Sequence, residues 1–170
     1  TSIHYGNYPK NETVPLLRPQ ERLAMLDRHV EGLRGEGERN ALRQQMYHAC
    51  RNADIKQGIS ACDSPVGSGK SFAVMAHLLN QAGARSLRRI FVVLPYTNII
   101  TQSVADYRKA LVLPGEDPAS VVAELHHRAD FSDEDSRHLT ALWRAPIIVT
   151  TAVAFFETLA SRSTATLRRL

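Results

Sequence analysis

Ser64-Pro65-Val66-Gly67-Ser68-Gly69-Lys70-Ser71 is the stretch that decides the fold. Its glycines allow backbone N–H groups to turn inward around anionic oxygens, and the apolar periodicity that follows places a helix start beside them, where unpaired N–H groups and the helix dipole favour negative charge. A short apolar run at 59–62 reads as the strand leading in, and 71–81 as the helix leading out. A flexible Gly-Ser turn is the ordinary alternative. It does not account for strand, glycine-rich loop, Lys-Ser and apolar helix standing in register.

Outward from this loop the chain alternates short apolar strands with longer helices. Strands are expected over 89–94 (RIFVVL), 121–125 and 147–150, and helices over 97–110, 132–143 and 152–160. That alternation predicts βαβ units, hence an α/β fold with a parallel sheet and helices on both faces. Upstream, 1–17 holds Gly6, Pro9 and Pro15 with little periodicity and reads as an extended linker. Leu23, Leu26, Val30 and Leu33 then recur at helical spacing until Gly32, Gly35 and Gly37 interrupt them, and a second helix follows with Asn40 as its expected N-cap. We therefore expect 1–36 to be a linker and helix joining an upstream domain, and 37–170 to be the N-terminal portion of the nucleotide-binding domain.

Composition bounds the function. At 170 residues and 44% hydrophobic, the chain suits one globular domain and is neither disordered nor fibrous as a whole. No apolar run is long enough to span a bilayer and no leader opens the chain, so a cytoplasmic location is the expectation. Cys50 and Cys62 fall in segments read as helix and strand and are expected to be reduced, buried thiols. The net charge of +4 is uneven: residues 1–115 hold 15 basic against 9 acidic residues, 116–135 hold 1 against 7, and 136–170 hold 5 against 1. Two basic segments flanking an acidic one permit a polyanionic partner, although such runs also form solvated faces.

The loop matches the P-loop signature except that Ser64 stands where the general pattern has glycine. In that signature Lys70 reaches the β- and γ-phosphates of ATP and the Ser71 hydroxyl is a ligand of Mg2+. Ser64, Pro65, Val66, Gly67, Ser68, Gly69, Lys70 and Ser71 are thus the cofactor-binding candidates, with Lys70 the catalytic one. A small residue followed by Pro resembles the loop of superfamily-two helicases. Leu94-Pro95-Tyr96-Thr97 resembles the helicase motif after the second strand, and Pro146-Ile147-Ile148-Val149-Thr150-Thr151 the later motif that contacts a nucleic-acid backbone. The wording LPYTNIITQS, VAELHHRADF and APIIVTTAVAFFETLAS closely resembles the CRISPR-associated helicase-nuclease of type I interference systems, over most of 40–170.

That resemblance implies the first RecA-like domain of an ATP-dependent helicase, ending before its second nucleotide motif. It implies single-stranded DNA as the track, a guide-RNA surveillance complex as the recruiting partner, and a metal-dependent HD nuclease, fused or separate. Pro95, Tyr96, Thr97, Thr150 and Thr151 would meet the DNA backbone. Each Thr has an equally ordinary reading as a helix cap. Gln44 and Gln45 are candidate adenine contacts, with Arg43 as a rival and a solvated helix face as the plain alternative. Asp133-Glu134-Asp135-Ser136 imitates the Asp-Glu of the second motif but sits where a helix begins, which acidic residues favour for dipole reasons. His126 and His127 are adjacent at a strand end and would point to opposite faces, which argues against one shared metal ion. Trp143 reads as packing, and Arg162, Arg168 and Arg169 as either phosphate contacts or a basic tail. Hydrolysis needs a magnesium-positioning Asp, a water-polarising Glu and a second-domain arginine, so the chain alone is expected to turn over no ATP. A small-molecule P-loop kinase and a non-enzymatic interaction fragment are the other readings.

Overall fold

Pro19 and the glycines around position 35 set the first two helices. α1 (Pro19–Gly32) starts at a proline, whose fixed φ suits the first helical turn and whose missing N–H would have found no partner there. Gly37, at φ +100°, turns the chain into α2 (Glu38–Arg51). Asn40 is therefore not the N-cap: it lies inside α2, its side-chain amide donating to the Glu36 carbonyl at 2.9 Å. The remaining elements are α3 (Lys70–Ala84), β1 (Ile90–Leu94), α4 (Thr97–Leu111), the short α5 (Pro118–Val121), β2 (Val122–Leu125), β3 (Ile147–Thr151) and α6 (Ala152–Ala160). This computed structural model describes residues 15–56, 58–125 and 144–160, with side chains through 157. The opening segment before 15, the helix expected over 132–143, His126, His127, 133–136, Trp143, Arg162, Arg168 and Arg169 lie outside the described residues.

The described strands form one open parallel sheet in the order β1-β3-β2. β3 is central, pairing Val92 with Val149 on one side and Glu124 with Val149 on the other. All five of its residues are buried, as a parallel strand covered on both faces requires. The pleat divides the apolar side chains. Ile90, Val122, Ile147 and Val149 join Leu26, Leu79, Ile100 and Val104 in the larger core, whereas Ala123, Leu125 and Ile148 pack with Phe91, Ala145 and Phe155 on the opposite face. Helices thus lie on both faces: α4, backed by α1 and α3, on one, and α6 on the other. The α/β class and parallel sheet agree with the strand–helix alternation of the sequence.

One expected strand is absent. Residues 59–62 are irregular and pair with no described strand, and Ile59 is 90% exposed. The run offers one bulky apolar residue among Ser, Ala and Cys, and strand structure needs a neighbour whose N–H and C=O groups it can meet. Cys62 is accordingly exposed, and Cys50 half-buried, which corrects the expectation of two buried thiols.

Two polar clusters fasten the helices. Arg22 is buried on α1 and is paired with Glu116 at 2.7 Å. Asp27, also on α1, accepts from Tyr47 Oη at 2.7 Å and from Arg51 Nε and Nη2, each at 2.8 Å, tying α1 to α2. Burial alone would raise the Asp27 carboxyl, but the Arg51 and Tyr47 hydrogen bonds outweigh it and hold the group below its ordinary value. Glu116 shows the same balance, with burial opposed by Arg22 and the Leu113 N–H. Groups lowered in the folded state contribute stability above their unfolded pKa values, roughly 3.9 for Asp and 4.3 for Glu, and lose it as pH falls through the folded values. The thermal midpoint should therefore drop as pH falls below about 4, and drop less steeply in Asp27→Asn. Circular-dichroism melts across that range test it.

Candidate functional site

Two left-handed glycines shape the loop that opens α3. Gly67 and Gly69 adopt φ +83° and +82°, angles at which a side chain is strained. Between them Ser68 turns inward and is only 2% exposed, accepting from Ser64 Oγ at 2.6 Å, while its N–H reaches the Pro65 carbonyl at 3.4 Å. Val66 stands out at the tip, 98% exposed. Gly69 is the N-cap and brings no side-chain bond to the helix. The N–H groups of the first turn are left for an anion, with the dipole behind them. Lys70 Nζ donates to the Ser64 carbonyl across the mouth of this turn. Ser71, exposed at the second helical position, presents its hydroxyl beside it.

A cavity of about 450 Å³ adjoins the loop. Val30 and Leu33 from the end of α1 and Phe72 from α3 form its apolar wall, Arg43, Gln44 and Tyr47 of α2 the facing one, and Lys70 closes the loop end. The volume falls within the roughly 300–1,000 Å³ of small-ligand pockets. Gln44 lines the cavity, as its candidacy requires, and Gln45 does not. The described lining contains no carboxylate. Arg43, which the sequence offers only as a rival base contact, donates from Nε to the Gly67 carbonyl at 3.0 Å and from Nη1 to Asn40 Oδ1 at 3.3 Å, propping the loop from α2. Arg39 is a further neighbour that sequence reasoning missed: its Nη2 lies 2.6 Å from where a Cβ on Gly67 would stand. Helical spacing was the available signal, since residues four apart share a face. Two guanidinium groups and one ammonium thus surround a turn built from N–H donors, and anions are the ligands this charge favours.

The second set of candidates gathers at the carboxyl end of the sheet. Pairing of Leu94 with Thr151 sets Pro95, Tyr96 and Thr97 beside the β3–α6 junction. All three are exposed, Tyr96 as the N-cap of α4 and Thr97 as its first residue. Thr150 and Thr151 differ from them. Thr150 is fully buried, and Thr151 Oγ1 accepts from Ala154 N at 3.2 Å, capping α6. Thr151→Val should therefore cost about 1 kcal/mol of stability, the usual worth of a cap, read as a lower urea midpoint. Tyr107 of α4 links the two regions: its hydroxyl reaches the Ser71 carbonyl at 3.5 Å and its ring meets Phe72 edge-on at 6.4 Å. Burial, then the nearby Asp106, push its phenol up to about 12, so it remains a donor at neutral pH.

Among the described residues no group of three or more His, Cys, Asp or Glu side chains could hold a metal ion by itself. None of the described helices is long and apolar enough to cross a membrane. No protein-family model matches the chain, and no curated protein matches it.

Proposed function

We propose that this chain is the ATP-binding portion of the first RecA-like domain of a DNA helicase, acting in CRISPR antiviral defence. One observation carries the nucleotide reading: an uncapped helix start, a double-glycine turn and Lys70 converge on one end of a cavity large enough for a nucleoside. The phosphates would lie in the turn of residues 64–69, held by N–H groups and by Lys70 once it leaves the Ser64 carbonyl. The base would enter between α1 and α2, with Phe72 and Val30 against its faces and Gln44 at its edge. The exposed Ser71 hydroxyl would help to hold Mg2+, which would supply positive charge against the phosphates.

DNA would lie across the carboxyl end of the sheet. A single strand gripped by its phosphates needs exposed hydroxyls and helix-start amides, and Tyr96, Thr97 and the start of α6 supply both at that end. With Thr150 buried and Thr151 engaged as a cap, the α6 amides rather than those hydroxyls are the contacts on that side. The helicase and CRISPR assignments rest on the likeness of 94–103, 122–131 and 145–161 to the type I helicase-nuclease, and bring with them the surveillance complex and the HD nuclease as partners.

The test has two parts. The chain should bind ATP weakly, at roughly 0.1–1 mM or about 4–5.5 kcal/mol, and hydrolyse none, because its cavity lining offers no carboxylate to polarise water. In a longer protein containing this chain, single-stranded DNA should stimulate hydrolysis. Phosphate transfer to a small metabolite, without DNA stimulation, would replace the helicase by a kinase; a partner bound equally well by Lys70→Ala, with no nucleotide bound at all, would leave an interaction fragment.

A further inference from the structure

The end of α3 far from the phosphate loop carries arginines that neither the cavity nor the carboxyl end of the sheet uses. α3 is 15 residues long, so about 22 Å of helix separates Lys70 from the turn at 85–89. That turn is tightly fixed. The Arg85 N–H reaches the Gln81 carbonyl at 3.0 Å and the Leu87 N–H the Ala82 carbonyl at 2.9 Å, closing the helix over Ser86 at φ +53°. Glycine is the usual occupant of that left-handed position, so the two bonds hold a serine where its side chain is disfavoured. Leu87 emerges from the turn 47% exposed. Arg88, exposed, and Arg89, half-buried, follow it into β1. Sheet pairing brings a third arginine from elsewhere in the chain. Ile90 pairs with Ile147 and donates its N–H to the Pro146 carbonyl at 2.9 Å, so the residues leading into β1 and β3 start side by side, at about the 4.8 Å spacing of neighbouring strands. Arg144 is exposed at that entrance. Arg85 adds charge to the same corner: its Nη2 donates to the Ile55 and Lys56 carbonyls at 2.8 and 3.3 Å, drawing Lys56 to the end of α3. Among the described residues none of Lys56, Arg88 and Arg144 has a carboxylate partner. Asp54 beside them accepts from the Lys56 N–H at 2.9 Å, and Asp117 stands on the β2 side, where it caps α5. Burial, then the adjacent Arg88, hold the Arg89 guanidinium below its ordinary value, a mark of like charges kept close.

We propose that this corner, Leu87 with Arg88, Arg89 and Arg144, is a docking surface for an acidic segment of a partner protein that carries an apolar side chain. Arginine forks take carboxylates through paired hydrogen bonds, and Leu87 gives the partner's apolar side chain a seat among them. Arginine around an apolar centre is the composition that protein interfaces favour. A nucleic-acid backbone fits less well. Its phosphates would meet the arginines but would leave Leu87 with nothing to contact, and residues 52–56, 85–89 and 144–146 contain no aromatic ring on which a base could stack. Because the surface lies at the opposite end of α3 from Lys70, a partner seated there leaves the cavity open. The inference holds whether or not the loop takes a nucleotide.

The experiment measures fluorescence anisotropy of labelled probes titrated with the whole chain. The probes are a short peptide of glutamate and aspartate around one central leucine, the same peptide with serine for leucine, and an oligothymidylate of equal charge. The leucine peptide should bind most tightly of the three, and less tightly as salt rises from about 50 to about 300 mM, because exposed charges are then screened. Arg88→Ala combined with Arg144→Ala should weaken it about tenfold, from the loss of two charge-assisted contacts. Arg28→Ala combined with Arg34→Ala removes the same charge from exposed positions in and just after α1 and should leave the affinity near that of the parent chain. Leu87→Ser should abolish the preference for leucine over serine in the peptide while keeping the salt dependence. Equal losses from the two arginine pairs would reduce the effect to net charge and overturn the proposal. So would a leucine peptide that binds no better than the serine one, or not at all, and tighter binding of the oligothymidylate would assign the surface to nucleic acid instead.

Discussion

Lys70→Ala should weaken ATP binding by roughly 10–100-fold while leaving the apo chain no less stable than before. The binding loss follows from a charge-assisted contact to phosphate, worth about 1.5–3 kcal/mol. The sign of the stability effect is less obvious. Lys70 is the first residue of α3 and places a cation at the positive end of a helix dipole, an unfavourable position by a few tenths of a kcal/mol. It is half-buried, with the Ser64 carbonyl as its acceptor. Removing it frees that carbonyl to water and relieves the dipole repulsion. A residue kept only for structure would show the opposite pattern. Lys70→Arg should fall between the two, because a planar guanidinium keeps the charge but does not fit a turn shaped for a slim ammonium stem. Isothermal titration with ATP and urea unfolding of both variants give the two axes. Unchanged affinity in Lys70→Ala would remove the phosphate role, and with it the central support for a nucleotide site.

The elements legible in the sequence were those whose local pattern and packing agree. Ile147–Thr151 reads as a buried strand because IIVTT is apolar and β-branched, and all five residues are buried. The helix over 152–160 coincides with α6, and α4 runs one residue past its expected end. The loop residues, too, could be read, since glycines at 67 and 69 are needed by a turn with two positive φ values. What was not legible depends on residues far apart in the chain. The strand at 59–62 fails for want of a partner, a fact no four-residue run records. The cavity wall of Val30 and Leu33 looks in the sequence like any helix stripe, and only the packing of α1 and α2 beside the loop turns it into part of a site. Thr150 and Thr151 show the converse: the sequence places them at the end of a strand, and burial and a cap decide what their hydroxyls can do. Arg22 is the extreme case. It looks like one more solvated arginine in a helix, and its partner stands 94 residues away.

Arg22→Ala should cost about 3–5 kcal/mol, enough to unfold much of a domain whose whole stability is about 5–15 kcal/mol. The magnitude follows from how many groups the guanidinium satisfies. Its Nε donates to the Leu17 carbonyl at 2.7 Å, Nη1 to the Leu111 carbonyl at 2.8 Å and to Glu116 Oε2 at 2.7 Å, and Nη2 to the Leu16 carbonyl at 3.0 Å and to Glu116 Oε1 at 2.9 Å. A guanidinium has five N–H donors, and all are used. Truncation leaves three carbonyls and one carboxylate without this partner, and a cavity among buried residues besides. Buried ion pairs are often replaceable by apolar residues at little cost, but that holds when both partners are replaced, and here backbone carbonyls at two separate places are also served. Arg22→Met should therefore recover packing without recovering stability, and Arg22→Met with Glu116→Leu only part of it. Glu116→Gln should cost less than Arg22→Ala, because the amide oxygen still accepts from Arg22 and Arg18 stands 3.9 Å from the same side chain. Because the cluster joins the start of α1 to the end of α4, its loss should also loosen the α1 wall of the cavity, and ligand affinity should fall in any variant that remains folded. A urea midpoint for Arg22→Ala close to that of the parent chain would refute this account of how α1 is held.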